Sequence, residues 1–253
     1  MKAFAKVNIF LKITGTRGVY HELASRFMVV QDLYDKVEFF KKDTKEFVID
    51  GEFNCQTQQN SIYKAYKALL ETTKSTKLEN FMQEYGVKVA KNIPSFAGLG
   101  GGSSDAATYL KMCNKELNLG LSIDELAKIG AKVGADVPFF VYGYNSANVS
   151  GVGEIVEPFE EEALKFDIYT PKIEISTPLV YKTYREHFFA PVDNITKEKL
   201  FQTPSTQILE TFSPKEANDL FAPALFAYNE LQTYVKEDYF FSGSGSSFFK
   251  RIK

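Results

Sequence analysis

Cysteine and histidine are scarce in this chain, with two of each among 253 residues. Cys55 and Cys113 lie far apart and share no metal or redox spacing, and His21 and His187 make no HExxH pattern. A structural zinc site is therefore not expected, and low cysteine content points to a reducing, cytoplasmic compartment. No block of one charge sign runs for long. Thirty Lys and Arg against 32 Asp and Glu leave a formal charge of −2, which advertises neither a nucleic-acid nor an anionic-membrane partner. Long apolar runs are missing too. The opening MKAFAKVNIFLKITG is interrupted by Lys6 and Lys12 and lacks a secretory core, and the uncharged stretch Val137 to Gly153 is too rich in Gly, Asn and Ser to span a bilayer. There are no internal repeats and no heptads. These absences leave a soluble protein of one large or two ordinary domains.

What is present suits a folded core: 44% of residues are hydrophobic and 25% charged. Ala3 to Thr14 reads as a strand, Thr16 to Glu22 as a turn, and Phe27 to Val30, Val37 to Phe40 and Phe47 to Ile49 as short strands. Ser61 to Glu71 carries apolar residues at helix spacing, and Gly86 to Ala90 is a strand that Asn92-Ile93-Pro94 ends. Ala106, Ala107, Leu110, Cys113 and Leu117 mark one helix face. Ser122 with Glu125 forms a capping box for the next helix, which Gly134 in a left-handed conformation would close. The run DVPFFVYG is expected to turn directly into a strand. Further strands are expected at Phe166 to Tyr169 and Ile173 to Ile175, and a second Gly/Ser turn at Ser242 to Ser247. Strands and helices mix without strict alternation, so the fold class is α+β. The domain boundary is placed in Asn145 to Gly153, giving domains 1–148 and 149–253.

The densest signal is PSFAGLGGGSSDAATYL, Pro94 to Leu110, with glycines at 98, 100, 101 and 102 directly before a helix. Glycine there costs backbone entropy, and a plain loop does not need so much of it. A strand, a glycine loop and a helix N-terminus together offer free N–H groups and partial positive charge, which is a phosphate site. The loop is neither a P-loop, since the lysine of GxxxxGK[ST] is missing, nor a dinucleotide fingerprint, since the third glycine position is Ser103. Ser103 and Ser104 could cap the helix, bond a phosphate or reach a metal ion, and Asp105 falls in the first turn.

This loop resembles the nucleotide loop of the GHMP kinases, the family named for galactokinase, homoserine, mevalonate and phosphomevalonate kinases. AKVNIFLKITG (Ala5 to Gly15), YHEL (Tyr20 to Leu23), GADVPFF (Gly134 to Phe140), TPLVYK (Thr177 to Lys182) and SGSGSS (Ser242 to Ser247) extend the resemblance over nearly the whole chain. It implies a two-lobed fold, an N-terminal lobe carrying the ATP loop and a smaller C-terminal lobe, and ATP-dependent phosphorylation of an alcohol. By resemblance the ATP loop falls on Pro94, Ser95, Phe96, Ala97, Gly98, Leu99, Gly100, Gly101, Gly102, Ser103 and Ser104. The catalytic pair matches Lys6 and Asp136. Asp136 would accept the hydroxyl proton, and Lys6 would keep it ionised and offset a developing alkoxide. Asn8, Tyr20, His21, Thr177 and Tyr181 match substrate contacts, with Tyr20, His21 and Tyr181 gathered around a cytosine. Mg²⁺ is implied beside ATP, with Ser104 or Ser103 as a ligand. SGSGSS resembles the motif that supports the ATP loop, although by itself it reads as an ordinary hairpin turn.

The implied partner is thus a small molecule carrying a cytidine diphosphate group, with no nucleic acid and no membrane, bound by a monomer or weak homodimer. Two other readings stand beside it. A homoserine- or mevalonate-type kinase would have no base for Tyr20 and His21 to hold, and a non-catalytic nucleotide or metabolite sensor would have no use for Asp136. Three departures from the family pattern are visible: GVYH (Gly18 to His21) stands where DGYH is usual, Ala97 replaces the first loop glycine, and little chain follows the last motif.

Overall fold

The computed structural model describes residues 1–252 and has the mixed α+β organisation expected. Two long strands open the chain, β1 (Lys2–Arg17) and β2 (Tyr20–Lys41). They meet at a tight turn in which Gly18 takes φ +61, so the turn is shorter than predicted and His21 lies on a strand. The strands predicted at 27–30 and 37–40 are one strand, because the polar residues between them include no Gly or Pro to break it. There follow β3 (Ile49–Asp50), α1 (Ser61–Thr73), α2 (Thr76–Glu84), β4 (Tyr85–Ala90), α3 (Gly101–Glu116), α4 (Ile123–Ala131) and α5 (Val137–Tyr142). Next come β5 (Ser146–Ser150), β6 (Ile155–Pro158), β7 (Phe166–Tyr169), α6 (Thr177–Thr183), α7 (Asn194–Gln202), α8 (Ser205–Thr211), α9 (Pro214–Ala217) and α10 (Phe221–Ala227), then β8 (Phe240–Phe241) and β9 (Phe248–Arg251).

The chain forms two compact units. One comprises Met1–Ala5, Asp32–Ile93 and Gly100–Gly143; the other comprises Lys6–Gln31, Pro94–Leu99 and Tyr144–Lys253. Each unit is built from three separate stretches of chain. Residues 6–31 group with the later chain because the first half of β2 pairs with β5, and 94–99 because they hydrogen-bond to the Ser242–Ser247 turn.

In the first unit the second half of β2 runs antiparallel to β4, from Lys36 opposite Ala90 to Lys41 opposite Tyr85, and β3 lies parallel to β4. Helix α1 starts on Asn60, whose side chain accepts from Ile62 N, and buries Ile62, Ala65, Ala68 and Leu69. Helix α3 is buried almost all round from Ser104 to Leu110, as befits a central helix. The Ser122–Glu125 capping box opens α4 as the sequence predicts. Gly134 is not left-handed; α4 ends at Ala131 with Lys132 as its C-cap, and the chain continues in tight turns, Gly134 N donating to Gly130 O and Val137 N to Gly134 O. DVPFFVYG is also not a strand. A short apolar run has no periodicity to separate a strand from a buried helix, and Pro138 in the first turn with Gly143 at φ +74 after the last favours α5.

In the second unit β5 pairs on one side with β2, Ser25 opposite Val149, and on the other with β6. The proposed linker Asn145–Gly153 is therefore mostly sheet. A three-stranded sheet, β7-β9-β8, stands separately, and the strand predicted at 173–175 is irregular chain. Arg26 is fully buried here. It donates to Asn148 Oδ1 at 2.7 Å and Phe201 O at 2.9 Å, and its guanidinium sits 3.4 Å from the Phe159 ring centroid. Burial lowers its pKa to about 10, so it stays charged and holds the C-terminal carbonyls of α7.

Candidate active site

In the second unit, Pro94–Leu99 approaches the Ser242–Ser247 turn until only glycine fits. Gly98 takes φ +72, and a Cβ on it would lie 2.1 Å from Ser242 O. Ser247 N donates to Ala97 O at 3.1 Å, and Ser242 Oγ to Gly98 O at 3.0 Å. The turn thus closes the β8–β9 hairpin and braces the loop at once. Ala97, where the family pattern has glycine, is buried and engages through its carbonyl, so the methyl is accommodated. Phe96 takes φ +53 and is half exposed. Asn218, which no local pattern marks, holds the turn from below: its Nδ2 donates to Phe241 O at 2.8 Å and Gly243 O at 2.9 Å.

Lys6 is buried on β1. Its backbone N donates to Leu99 O at 2.9 Å, and its Nζ donates to Asn8 Oδ1 at 2.7 Å and to Gly98 O at 3.0 Å. The Phe27 ring centroid lies 4.7 Å from the ammonium. Asn8 Nδ2 in turn donates to Ser25 Oγ at 3.0 Å. Residues i and i+2 of a strand share a face, so AKVN places Lys6 and Asn8 side by side.

Helix α3 belongs to the first unit. Gly100, at φ +72, is its N-cap and offers no side chain to the first turn, leaving those N–H groups for a ligand or solvent. Gly101 and Gly102 let the helix start close to Ile93 and Ser61; a Cβ at 101 would meet Ile93 Cγ2 at 2.9 Å. Ser104 is buried, and Ser103 faces the turn before α5, where a Cβ on Gly134 would lie 3.8 Å from Ser103 Oγ. Asp136 follows two residues later as the N-cap of α5, at φ −79 and ψ −13, and makes no capping bond of its own. Its backbone is thus in the α region. Beneath the first turns of α3 lies a cluster the sequence did not reveal. Lys91 Nζ bonds Asp105 Oδ2 at 2.8 Å and also Asp35 Oδ2, while Asp35 Oδ1 accepts from Asn92 N at 2.6 Å and Ile93 N at 2.8 Å. Asp105 Oδ1 is buried without a partner, and burial pushes this carboxyl up to about 7.

The residues matched to a base-binding pocket also gather in the second unit. His21 is buried, its ring centroid 5.1 Å from that of Tyr181 and 5.7 Å, edge-on, from that of Tyr184. Burial, and then Arg185, hold the imidazole below its usual pKa, so it is neutral at pH 7. Arg185 Nε donates to His21 Nε2 at 3.4 Å, which leaves the ring proton on Nδ1. Arg185 and Tyr184 lie on a π-helical turn, Tyr184–Phe188, continuing α6, a local irregularity that composition does not signal. Tyr20 is exposed at the start of β2. Thr177 Oγ1 lies 2.6 Å from Ser244 Oγ, and with Phe96, Glu174, Ile175, Ser176 and Pro178 it lines a cavity of about 360 Å³.

Known proteins resemble this chain over its whole length. Residues 60–144 match the GHMP kinases N-terminal domain. A 4-diphosphocytidyl-2-C-methyl-D-erythritol kinase of Sulfurimonas denitrificans is 60% identical over 98% of this chain and 95% of its own. A crystal structure of 4-(cytidine 5'-diphospho)-2C-methyl-D-erythritol kinase superposes with a TM-score of 0.74 at 28% identity, covering 100% of this chain and 90% of the other. A homoserine kinase from Cytophaga hutchinsonii superposes at 0.61 with 16% identity, over 100% and 86%, and shares the fold alone.

Proposed function

The chain belongs to the 4-diphosphocytidyl-2-C-methyl-D-erythritol kinases within the GHMP kinases, and on that premise we propose how its residues divide the reaction. It is an ATP-dependent kinase with an alcohol as acceptor, phosphorylating the 2-hydroxyl of 4-diphosphocytidyl-2-C-methyl-D-erythritol in isoprenoid precursor synthesis.

ATP phosphates lie along Pro94–Ser104, held by backbone N–H groups and by the uncapped first turn of α3. The observation that supports the assignment is the packing of the Gly134 turn on Ser103, which sets the residues leading to Asp136 beside the N-terminal end of α3. Asp136 accepts the proton of the attacking hydroxyl as general base. Lys6, held by Asn8 and by the loop carbonyl of Gly98, supplies positive charge. His21 presents Nδ1–H to an acceptor on the cytosine, Tyr20 and Tyr181 supply ring faces, and Thr177 reaches the diphosphate. Binding energy from the remote base then serves to orient the reacting alcohol.

Among the described residues no three His, Cys, Asp or Glu side chains converge as a metal cage. The Ser103 or Ser104 hydroxyl would be the protein ligand of Mg²⁺ arriving with ATP. When bound, the ion would offset phosphate charge during transfer. In family terms, 1–148 is the N-terminal domain and 149–253 the smaller C-terminal one. No helix among the described residues is long and apolar enough to cross a membrane. We place the protein in the cytoplasm as a monomer or weak homodimer with no nucleic-acid partner.

The test is ADP release with Mg-ATP and 4-diphosphocytidyl-2-C-methyl-D-erythritol, beside homoserine and mevalonate. Turnover is expected with the cytidylyl substrate alone, and Asp136→Asn should lower kcat by about 10²- to 10⁴-fold while ATP still binds. Turnover with homoserine or mevalonate would overturn the base pocket. Binding of ATP without turnover of any alcohol would favour a sensor.

A further inference from the structure

We propose that Ser25 is a positioning residue for phosphoryl transfer: its hydroxyl fixes the orientation of the Asn8 amide and, through it, where the Lys6 ammonium is held. The inference rests on the role given to Lys6 above. Ser25 lies on β2, fully buried, opposite Val149 of β5. Its Oγ–H donates to Phe10 O. A hydroxyl has a single proton, so towards Asn8 Nδ2, 3.0 Å away, the same oxygen acts as acceptor.

That settles the amide. Asn8 is buried, its NH₂ is committed to Ser25, and its carbonyl oxygen is left facing Lys6 Nζ at 2.7 Å. Turned over, the amide would set an NH₂ against an ammonium, and its carbonyl against an oxygen whose proton is already used. Both contacts would be lost in a buried site, where an unsatisfied polar group costs most. The polarity of the relay Phe10–Ser25–Asn8–Lys6 therefore runs in one direction, set by the Phe10 carbonyl. The far end of Lys6 also touches Gly98 O of the glycine loop at 3.0 Å, so the amide and the loop place the ammonium together. Asn8 and Lys6 share a strand face, but Ser25 is 17 residues from Asn8 and reaches it only through sheet pairing.

Ser25→Ala deletes one oxygen and leaves the β2–β5 pairing intact. It frees the Asn8 NH₂ from its acceptor, so the amide can rotate its donors towards Lys6. Ser25→Thr keeps the hydroxyl. Three readouts on the full chain decide the matter: kcat, KM for ATP, and the pH profile of kcat. Ser25→Ala should lower kcat about tenfold, short of the ~100-fold that a misplacement of about 1 Å can cost, and shift the pH profile. Its KM for ATP should stay close to that of the wild type, and Ser25→Thr should restore kcat. An unchanged kcat and pH profile in a folded Ser25→Ala protein would overturn the proposal. So would a Ser25→Thr protein as impaired as Ser25→Ala, because the hydroxyl would then not be what matters.

Titration of the Lys6 Cε resonance in ¹³C-lysine-labelled protein reads the same relay without any substrate. The midpoint should fall in Ser25→Ala, and an unmoved midpoint would overturn the proposal. Should the wild type fail to turn over the cytidylyl substrate, the functional reading falls while this titration still decides the role of Ser25.

Discussion

Two segments of this chain are built almost wholly of glycine and serine, Gly98–Ser104 and Ser242–Ser247, and they use their backbones differently. In the second, three donors are used within the protein: Ser242 N bonds Ser247 O, Gly245 N bonds Ser242 O, and Ser247 N bonds Ala97 O. In the first, the glycine N-cap brings no side chain to the helix, and the first intrahelical bond recorded at this end is Ser104 N to Gly100 O. The first turn leaves its donors without a side-chain cap, while the serine turn uses its own to hold Ala97 and the loop in shape. In the proposed reading, the closed segment holds Pro94–Leu99 in shape for phosphate.

The sharpest way to break that relation is Gly98→Ala. The added Cβ would lie 2.1 Å from Ser242 O at φ +72, so backbone must move on one side or the other. A loss of about 3 kcal/mol in stability is expected, with ATP binding largely gone. Thermal unfolding and ATP titration check it.

A second test sits under the helix that the first segment opens. The Asp105 carboxyl titrates at about 7 in the folded protein because burial opposes its charge, against 3.8 as its ordinary value. The folded state therefore binds the proton more tightly than the unfolded one. The contribution is intact below about pH 4 and declines as pH rises to about 7, the sign that linkage gives for a raised acid. Asp105→Asn should flatten that part of the stability–pH curve, measured as Tm from pH 4 to 7.5. An equally steep slope in the variant would assign the decline elsewhere.

The mildest change loosens the brace. Ser242→Ala removes the hydroxyl bond to Gly98 O and should cost about 1 kcal/mol. KM for ATP should rise severalfold with kcat nearly kept, because Lys6 still donates to the same carbonyl. A fall in kcat with KM unmoved would show that the brace acts on Lys6 and not on the loop.

Much of this was legible in the residues. The glycine density before α3, the capping box of α4 and the i, i+2 placement of Lys6 and Asn8 are local features, and local features follow from short-range sterics and periodicity. The misreadings were also physical. DVPFFVYG is apolar throughout, so nothing in its own pattern separates a strand from the buried helix α5. The gap between the predicted strands at 27–30 and 37–40 vanished because pairing with β5 and β4 carries β2 through a polar stretch. Arg185 was missed because its value lies in reaching His21, 164 residues away.

By itself the sequence determined the α+β class, the glycine-rich start of α3 and, through its motifs, the kinase family. Those depend on which residues are adjacent in the chain. Tertiary structure alone decided that Ser242–Ser247 braces Gly98, that Lys91 joins Asp35 to Asp105 beneath α3, and that Ser25 aligns Asn8 with Lys6. Each of these contacts spans between 14 and 144 residues of chain and involves a buried polar group. The partner of such a group is chosen by which strands pair and which helices cover them, and no window of neighbouring residues carries that information.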